Sequence, residues 1–214
     1  MIELLTDASM HEMLKTKFIE GNPLFMSFVA FALILGLSFC IERIIYLALA
    51  NINTKKFLDQ LEKAYNDNGR DAAIELCRNT RGPVASICMQ GLLHAEEDAA
   101  DIERTMASYA DIELGKLESG CSWITLFIAL APSLGFLGTV IGMVMSFDNI
   151  EIAGDISPAI VAGGMKVALI TTIFGIIVAV ILQLFYNYIL SRIEHLTTQM
   201  EKASIELLEI IKNQ

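Results

Sequence analysis

VALITTIFGIIVAVILQLFYNYILS, residues 167–191, runs twenty-five positions without a charged side chain. A helix needs about 20 predominantly apolar residues to cross a hydrocarbon core of about 30 Å, so this run is long enough. Two further stretches share the property, residues 21–41 and residues 119–147. The competing reading is three buried helices of a soluble protein. Helices this long would need a much larger surrounding shell than 214 residues supply. Composition points the same way, with 54% hydrophobic and 19% charged residues, against about 25% charged in a soluble domain. The expected fold is an all-α integral membrane protein with three transmembrane helices, two of them extended into a cytoplasmic helical bundle.

Lysine and arginine set the expected orientation. Residues 51–120 carry eight of them: Lys55, Lys56, Lys63, Arg70, Arg78, Arg81, Arg104 and Lys116. The tail adds Arg192, Lys202 and Lys212, whereas residues 148–157 hold only Asp148, Glu151 and Asp155. The positive-inside rule then places the middle segment and the tail in the cytoplasm and the amino terminus outside; Lys15 and Lys17 run weakly against it. Glu3, Asp7 and Glu12 precede any apolar run, unlike the basic start of a cleavable signal. Met10, Met13, Leu14 and Phe18 fall near one helical face, as in an amphipathic helix resting on the outer membrane surface; a loosely ordered terminus is the alternative.

The divisions follow. Residues 1–20 are the extracytoplasmic amphipathic helix, 21–50 the first span and 51–118 the cytoplasmic helical domain. Residues 119–147 are the second span, 148–157 an extracytoplasmic loop, 158–190 the third span and 191–214 a cytoplasmic C-terminal helix. Within the cytoplasmic domain, Phe57, Leu58, Leu61 and Tyr65 have helical spacing over residues 55–66, and Asn68-Gly69 ends that helix. A shorter helix follows over residues 71–78. Arg81-Gly82 forms a turn, and Pro83 opens the next helix. The run Glu96-Glu97-Asp98 marks a solvated end or a partner site. From Asp101 no breaker intervenes before Gly115, so helix is expected to run into the second span.

Inside the second span, Gly135, Gly138 and Gly142 sit on neighbouring turns, so another helix can approach closely. Pro132 removes a backbone hydrogen bond and should bend or loosen the helix nearby. Thr139 places a hydroxyl at membrane depth. Ser157-Pro158 reads as a cap and first turn for the third span. There, Ala168, Thr172, Gly175 and Ala179 form a small, partly polar stripe, with Ile170, Ile173, Phe174 and Ile177 opposite. Helix packing and a hydrated pathway both fit that stripe. Lys166, about two turns in, either snorkels outward or tunes the pathway.

No Asp, Glu or His occurs in residues 119–147 or 167–191. Proton relays through membranes use such groups, so a proton-conducting role requires a carboxylate from another chain. Hydroxyls orient water but hold no proton near neutral pH. Cys40, Cys77, Cys88 and Cys121 form no close metal-binding pair, and His11, His94 and His195 are scattered. No metal, cofactor or catalytic residue is expected. A net charge of -10 with no basic face argues against nucleic acid.

Residues 131–142 and 158–187 resemble the MotA/TolQ/ExbB proton channel family, most closely its ExbB and TolQ members. The resemblance rests on Leu137-Gly138-Thr139-Val140, on Ala168-Leu169-Ile170-Thr171-Thr172 and on Tyr186-Asn187. The Glu42-Arg43 pair and residues 69–91 add to it. It implies a pentameric ring in the bacterial inner membrane whose second and third spans line a central pore. Two copies of a small single-span partner of ExbD or TolR type sit inside, each with a membrane aspartate. Thr139 and Thr172 match the pore threonines, and Ala168, Gly175 and Lys166 join them as the expected pathway. Proton flow turns ring and partner relative to each other, and a TonB- or TolA-like transducer carries the work to the envelope, as in TonB-dependent transport.

ExbB-type members often carry a glutamate five residues before the third-span threonine; Val167 stands there in this chain. Three spans rather than four argue against a flagellar stator. The alternatives are a structural membrane scaffold and a channel for another small ion.

Overall fold

The computed structural model describes residues 23–154 and 158–212, together with Glu12, Thr16 and Gly21. The expected amphipathic helix of residues 1–20 and the Ser157 cap lie outside the described residues. Among the described residues the helices with stated bounds are, in order, α1 (Pro23–Ala50), α2 (Thr54–Asn79), α3 (Pro83–Leu93), α4 (Ala99–Glu118), α5 (Cys121–Ala153) and α6 (Pro158–Lys212). There is no strand among the described residues, and the fold is all-α. Three helical stretches, one each containing α1, α5 and α6, are long and apolar enough to cross a membrane.

Three boundaries differ from the expected ones. The stop at Asn68-Gly69 is a kink inside α2, where Gly69 takes φ 78° and ψ -177° between two helical stretches. Helix does not run unbroken from Asp101 into the second span. It breaks at Ser119-Gly120, where Gly120 takes φ 82°, while Gly115 sits inside α4. Finally, α5 continues to Ala153, through most of the expected 148–157 loop. In contrast, α6 is one continuous 55-residue helix, as the sequence leads one to expect.

The chain divides into two compact units. The first comprises the chain up to Cys40 and residues 122–186. Met26, Val29, Ile124, Ala131, Ala168, Thr171 and Leu182 are buried there. Phe39 of α1 stacks on Trp123 and Phe127 of α5, with ring centroids 6.0 and 6.2 Å apart. Gly36 lies so close to α6 that an added Cβ would stand 2.6 Å from Leu182 Cδ1. The outer faces are apolar as well: Phe31, Ile34, Phe136, Ile173 and Leu184 are each more than half exposed. A water-facing surface does not carry large apolar side chains in such density; lipid tails and neighbouring spans accept them.

The second unit comprises residues 41–121 and 187–214. Its core joins Leu61, Cys77, Ile87, Leu92, Met106 and Leu117 to Ile189, Leu196, Ala203 and Leu207. Asn53 caps α2 by accepting from Lys56 N at 3.1 Å, and Arg70 donates to Leu93 O at 2.8 Å at the end of α3. Burial raises the Cys77 thiol to about 12 and pushes Cys88 up as well. Both stay neutral, as packing thiols do.

Arg43 of α1 packs at the break between α4 and α5. It is 8% exposed and donates to Lys116 O at 3.2 Å, a carbonyl that also accepts from the cap residue Ser119 N at 3.4 Å. Glu42 holds the same guanidinium through bonds of 2.6 and 2.5 Å. The Tyr46 ring lies 4.8 Å from it. One turn back, the Lys116 ammonium pairs with Glu113 at 2.8 Å, which raises its pKa.

Candidate functional site

The site lies in the first unit, where α5 meets α6. Its geometry starts from small residues. Gly135 approaches α6 until an added Cβ would stand 2.9 Å from Thr171 O and 3.1 Å from Thr172 Cα. At Gly138 it would meet Thr171 Oγ1 at 2.9 Å, and at Gly142 it would meet Ala168 Cβ at 3.2 Å. From the other side, Gly175 faces Ala131 O, 2.6 Å from an added Cβ. The two backbones therefore touch along three turns, as small residues at this spacing allow in a membrane. The helix continues through Pro132, which has no amide proton to give the carbonyl four residues back.

Close approach brings two hydroxyls together. Thr139 Oγ1 and Thr172 Oγ1 share a hydrogen bond between α5 and α6. Thr139 Oγ1 also reaches Gly135 O at 3.2 Å and Ala168 O at 3.1 Å, and Thr172 Oγ1 reaches Gly135 O at 3.2 Å. The proton count is informative. Two hydroxyls have two protons. One is used between them, in either direction, and the other goes to a carbonyl. The pair can thus reverse its polarity by rotating two hydroxyls, with no change of backbone. Both threonines are half-buried.

The remaining sequence-derived residues divide. Ala168 and Gly175 are buried in the seam with the threonines. Lys166 is exposed and outside the seam. Thr171, which the stripe of Ala168, Thr172, Gly175 and Ala179 leaves out, is wholly buried. It points at Gly138 and donates to Ala168 O of its own helix at 2.7 Å. Ile170, placed opposite the stripe, is also buried, at 9% exposed. The contact face of α6 is wider than a four-residue stripe: Thr171 meets Gly135 and Gly138 of α5, and Leu182 meets Gly36 of α1. Sequence reading passed over Ser146 and Gly164, which meet further along the same seam. The available signal was the spacing Thr139, Gly142, Ser146, which keeps one helical face.

No group of three or more His, Cys, Asp or Glu among the described residues is arranged to hold a metal ion. An all-α membrane protein whose spans meet through glycines and paired hydroxyls has the build of a channel or transport component. The profile of the MotA/TolQ/ExbB proton channel family matches residues 79–202, more than half of the chain, and the chain belongs to that family. It is similar to an ExbB homolog of biopolymer transport from Methanothermobacter thermautotrophicus, 30% identical over 84% of this chain and 61% of the relative. An ExbB-like protein of Synechocystis is 26% identical over 72% of this chain and 74% of the relative. The biopolymer transport protein ExbB of Neisseria gonorrhoeae is 30% identical over 66% of this chain and 63% of the relative. The chain thus spans less than two thirds of the length of the first and third of these. Proteins of this family are channel and transport components, not enzymes.

Proposed function

We propose that the chain is the ring-forming subunit of a proton-driven motor in the bacterial inner membrane. Its partner is a small single-span protein of ExbD or TolR type, whose membrane aspartate carries the proton. The observation that carries this reading is the Thr139–Thr172 pair: reversible, half-buried hydroxyls in spans that hold no acid of their own. An approaching carboxylate finds donors there when it is ionised, and the pair closes on itself when it leaves. A homopentamer with two partner copies, with work passed to a TonB- or TolA-like transducer, follows from the family resemblance and belongs to this proposal. So does the orientation, with the amino terminus outside and the second unit in the cytoplasm.

The test is proton flux into vesicles containing the chain with and without a coexpressed single-span protein bearing a membrane Asp, and with that Asp changed to Asn. The expected result is flux only with the intact partner. Equal flux in all three preparations, or none in any, would sink the proposal and favour another ion or a passive scaffold.

A further inference from the structure

The second unit carries a groove of about 410 Å³ between α4 and the last turns of α6. Glu103, Ala107, Ala110 and Leu114 recur at intervals of three and four, so they share one face of α4. Thr197, Glu201, Ser204 and Leu208 do the same on α6. The stretch from Glu103 to Leu114 is about 17 Å long, three turns of helix. Other faces of the same two helices, through Ile102, Met106 and Leu117 and through Leu196, Ala203 and Leu207, are buried in the core. The groove is what that core leaves uncovered.

Its lining combines apolar side chains with acid. Leu114, Met200, Ile205 and Leu208 supply the apolar part, and Ile205 is 60% exposed. The charged residues are Glu103, Asp111 and Glu201, all exposed, and no Lys, Arg or His joins them. None of the three forms an ion pair among the described residues, whereas Asp101 and Glu113 of the same helix pair with Arg104 and Lys116. An apolar trough with unpaired carboxylates along it is complementary to an amphipathic helix that carries cations beside its apolar face. An anionic lipid surface would be repelled. A second copy of the chain does not offer such a helix at its lysine-rich stretch: Lys55, Lys56 and Lys63 belong to α2, but Phe57, Leu58 and Leu61 beside them are buried in the chain's own core. A single-span protein does offer one, because Lys and Arg gather at the cytoplasmic end of a span.

We propose that the groove docks the basic cytoplasmic end of the single-span partner. That end lies in it as a short amphipathic helix, its apolar side chains against Leu114, Met200, Ile205 and Leu208 and its cations on Glu103, Asp111 and Glu201. The identity of the occupant rests on the partner and the orientation given under the proposed function; the preference for a basic, apolar-faced helix rests on the groove alone.

The test uses the full chain coexpressed with a single-span protein that bears a membrane Asp and a basic cytoplasmic end. A photocrosslinking benzoylphenylalanine replaces Ile205 in the groove or, as a control, the exposed Glu62 of α2. Crosslinking to the single-span protein is expected from position 205 and not from position 62. Asp111→Lys with Glu201→Lys, both at exposed positions, should lower the yield roughly tenfold, and changing the Lys and Arg of the single-span protein's cytoplasmic end to Glu should restore it. A crosslink from 205 only to a second copy of the chain overturns the proposal and makes the groove an interface between copies. An unchanged yield after the charge reversal overturns it too. Proton flux in the same preparations separates the two readings: flux without the crosslink sinks the docking and leaves the motor, and the crosslink without flux sinks the motor and leaves the docking.

Discussion

A single hydroxyl distinguishes Thr172 from valine, and its surroundings say what that hydroxyl does. Thr172 shares its proton with Thr139 or Gly135 O, across two helices. Thr171, its neighbour, spends its proton on Ala168 O in its own helix. Removing the first breaks a link between spans and a donor for an incoming carboxylate; removing the second breaks only a local bond. A hydrogen bond to a charged group is worth about 1.5–3 kcal/mol, so Thr172→Val is expected to lower proton-driven output ~10- to 100-fold while the protein still inserts and assembles. Thr172→Ser keeps the hydroxyl and should retain more. Thr171→Val should do much less, its methyl group fitting against Gly138. Output from a reconstituted complex measures all three, and indistinguishable activities would assign these hydroxyls to packing alone. Titration adds a second expectation at this scale. The buried Cys77 thiol is raised to about 12, above the ~8.5 of a free thiol. The folded chain thus keeps a proton that the unfolded chain releases. Its stability contribution is complete below about pH 8.5 and is lost as pH rises toward 12. Chemical denaturation of the full chain at pH 8 and pH 10.5 should show the lower midpoint at pH 10.5.

At the scale of elements, glycine has two opposite meanings in this chain. Gly138 lies in the α5–α6 seam, where an added Cβ stands 2.9 Å from Thr171 Oγ1; Gly115 lies in α4 with nothing within 4 Å. Leucine at 138 must push the helices apart, a change that costs about 1–3 kcal/mol in a packed core. Alanine at 115 only removes backbone freedom and should stabilise α4 by roughly 0.5–1 kcal/mol. Thermal unfolding in detergent is expected to separate them in sign, Gly138→Leu melting lower and Gly115→Ala higher than wild type. Two shifts of the same sign would contradict the seam. The same contrast shows what was legible beforehand. The apolar runs announced α1, α5 and α6 because charge-free length needs no tertiary information. The Gly135, Gly138, Gly142 ladder announced close packing for the same local reason. Which glycine breaks the α4–α5 helix was not legible. Gly115 and Gly120 look alike in sequence, and the break at Gly120 is where Arg43 packs, its guanidinium donating to Lys116 O from seventy-three residues away. Thr171 faces the same helix as the stripe, at Gly135 and Gly138: where glycines let two backbones touch, the covered face is wider than a line of small residues.

The whole molecule is a problem in placing charge. Its spans carry almost none, and the basic residues concentrate in the second unit and the tail, which under the positive-inside rule belong to the cytoplasm. The end of α5 offers Asp148 and Glu151, both exposed, and residues 148–157 hold no Lys or Arg. Carrying the basic segment across the bilayer would place eight cations on the side that the positive-inside rule disfavours. The bias comes from the count of Lys and Arg rather than from a single residue such as Lys17. Cysteines at Asn68, exposed beside the Gly69 kink, and at Glu151, exposed near the end of α5, report the two sides. Glu151 serves better than Gly154, whose φ of 70° a cysteine would strain. In intact cells with a permeable outer membrane, an impermeant maleimide is expected to label Glu151→Cys directly and Asn68→Cys only after the inner membrane is opened. Labelling of Asn68→Cys in sealed cells would reverse the orientation. The direction of proton entry proposed for the motor would then have to be reassigned to the opposite membrane face.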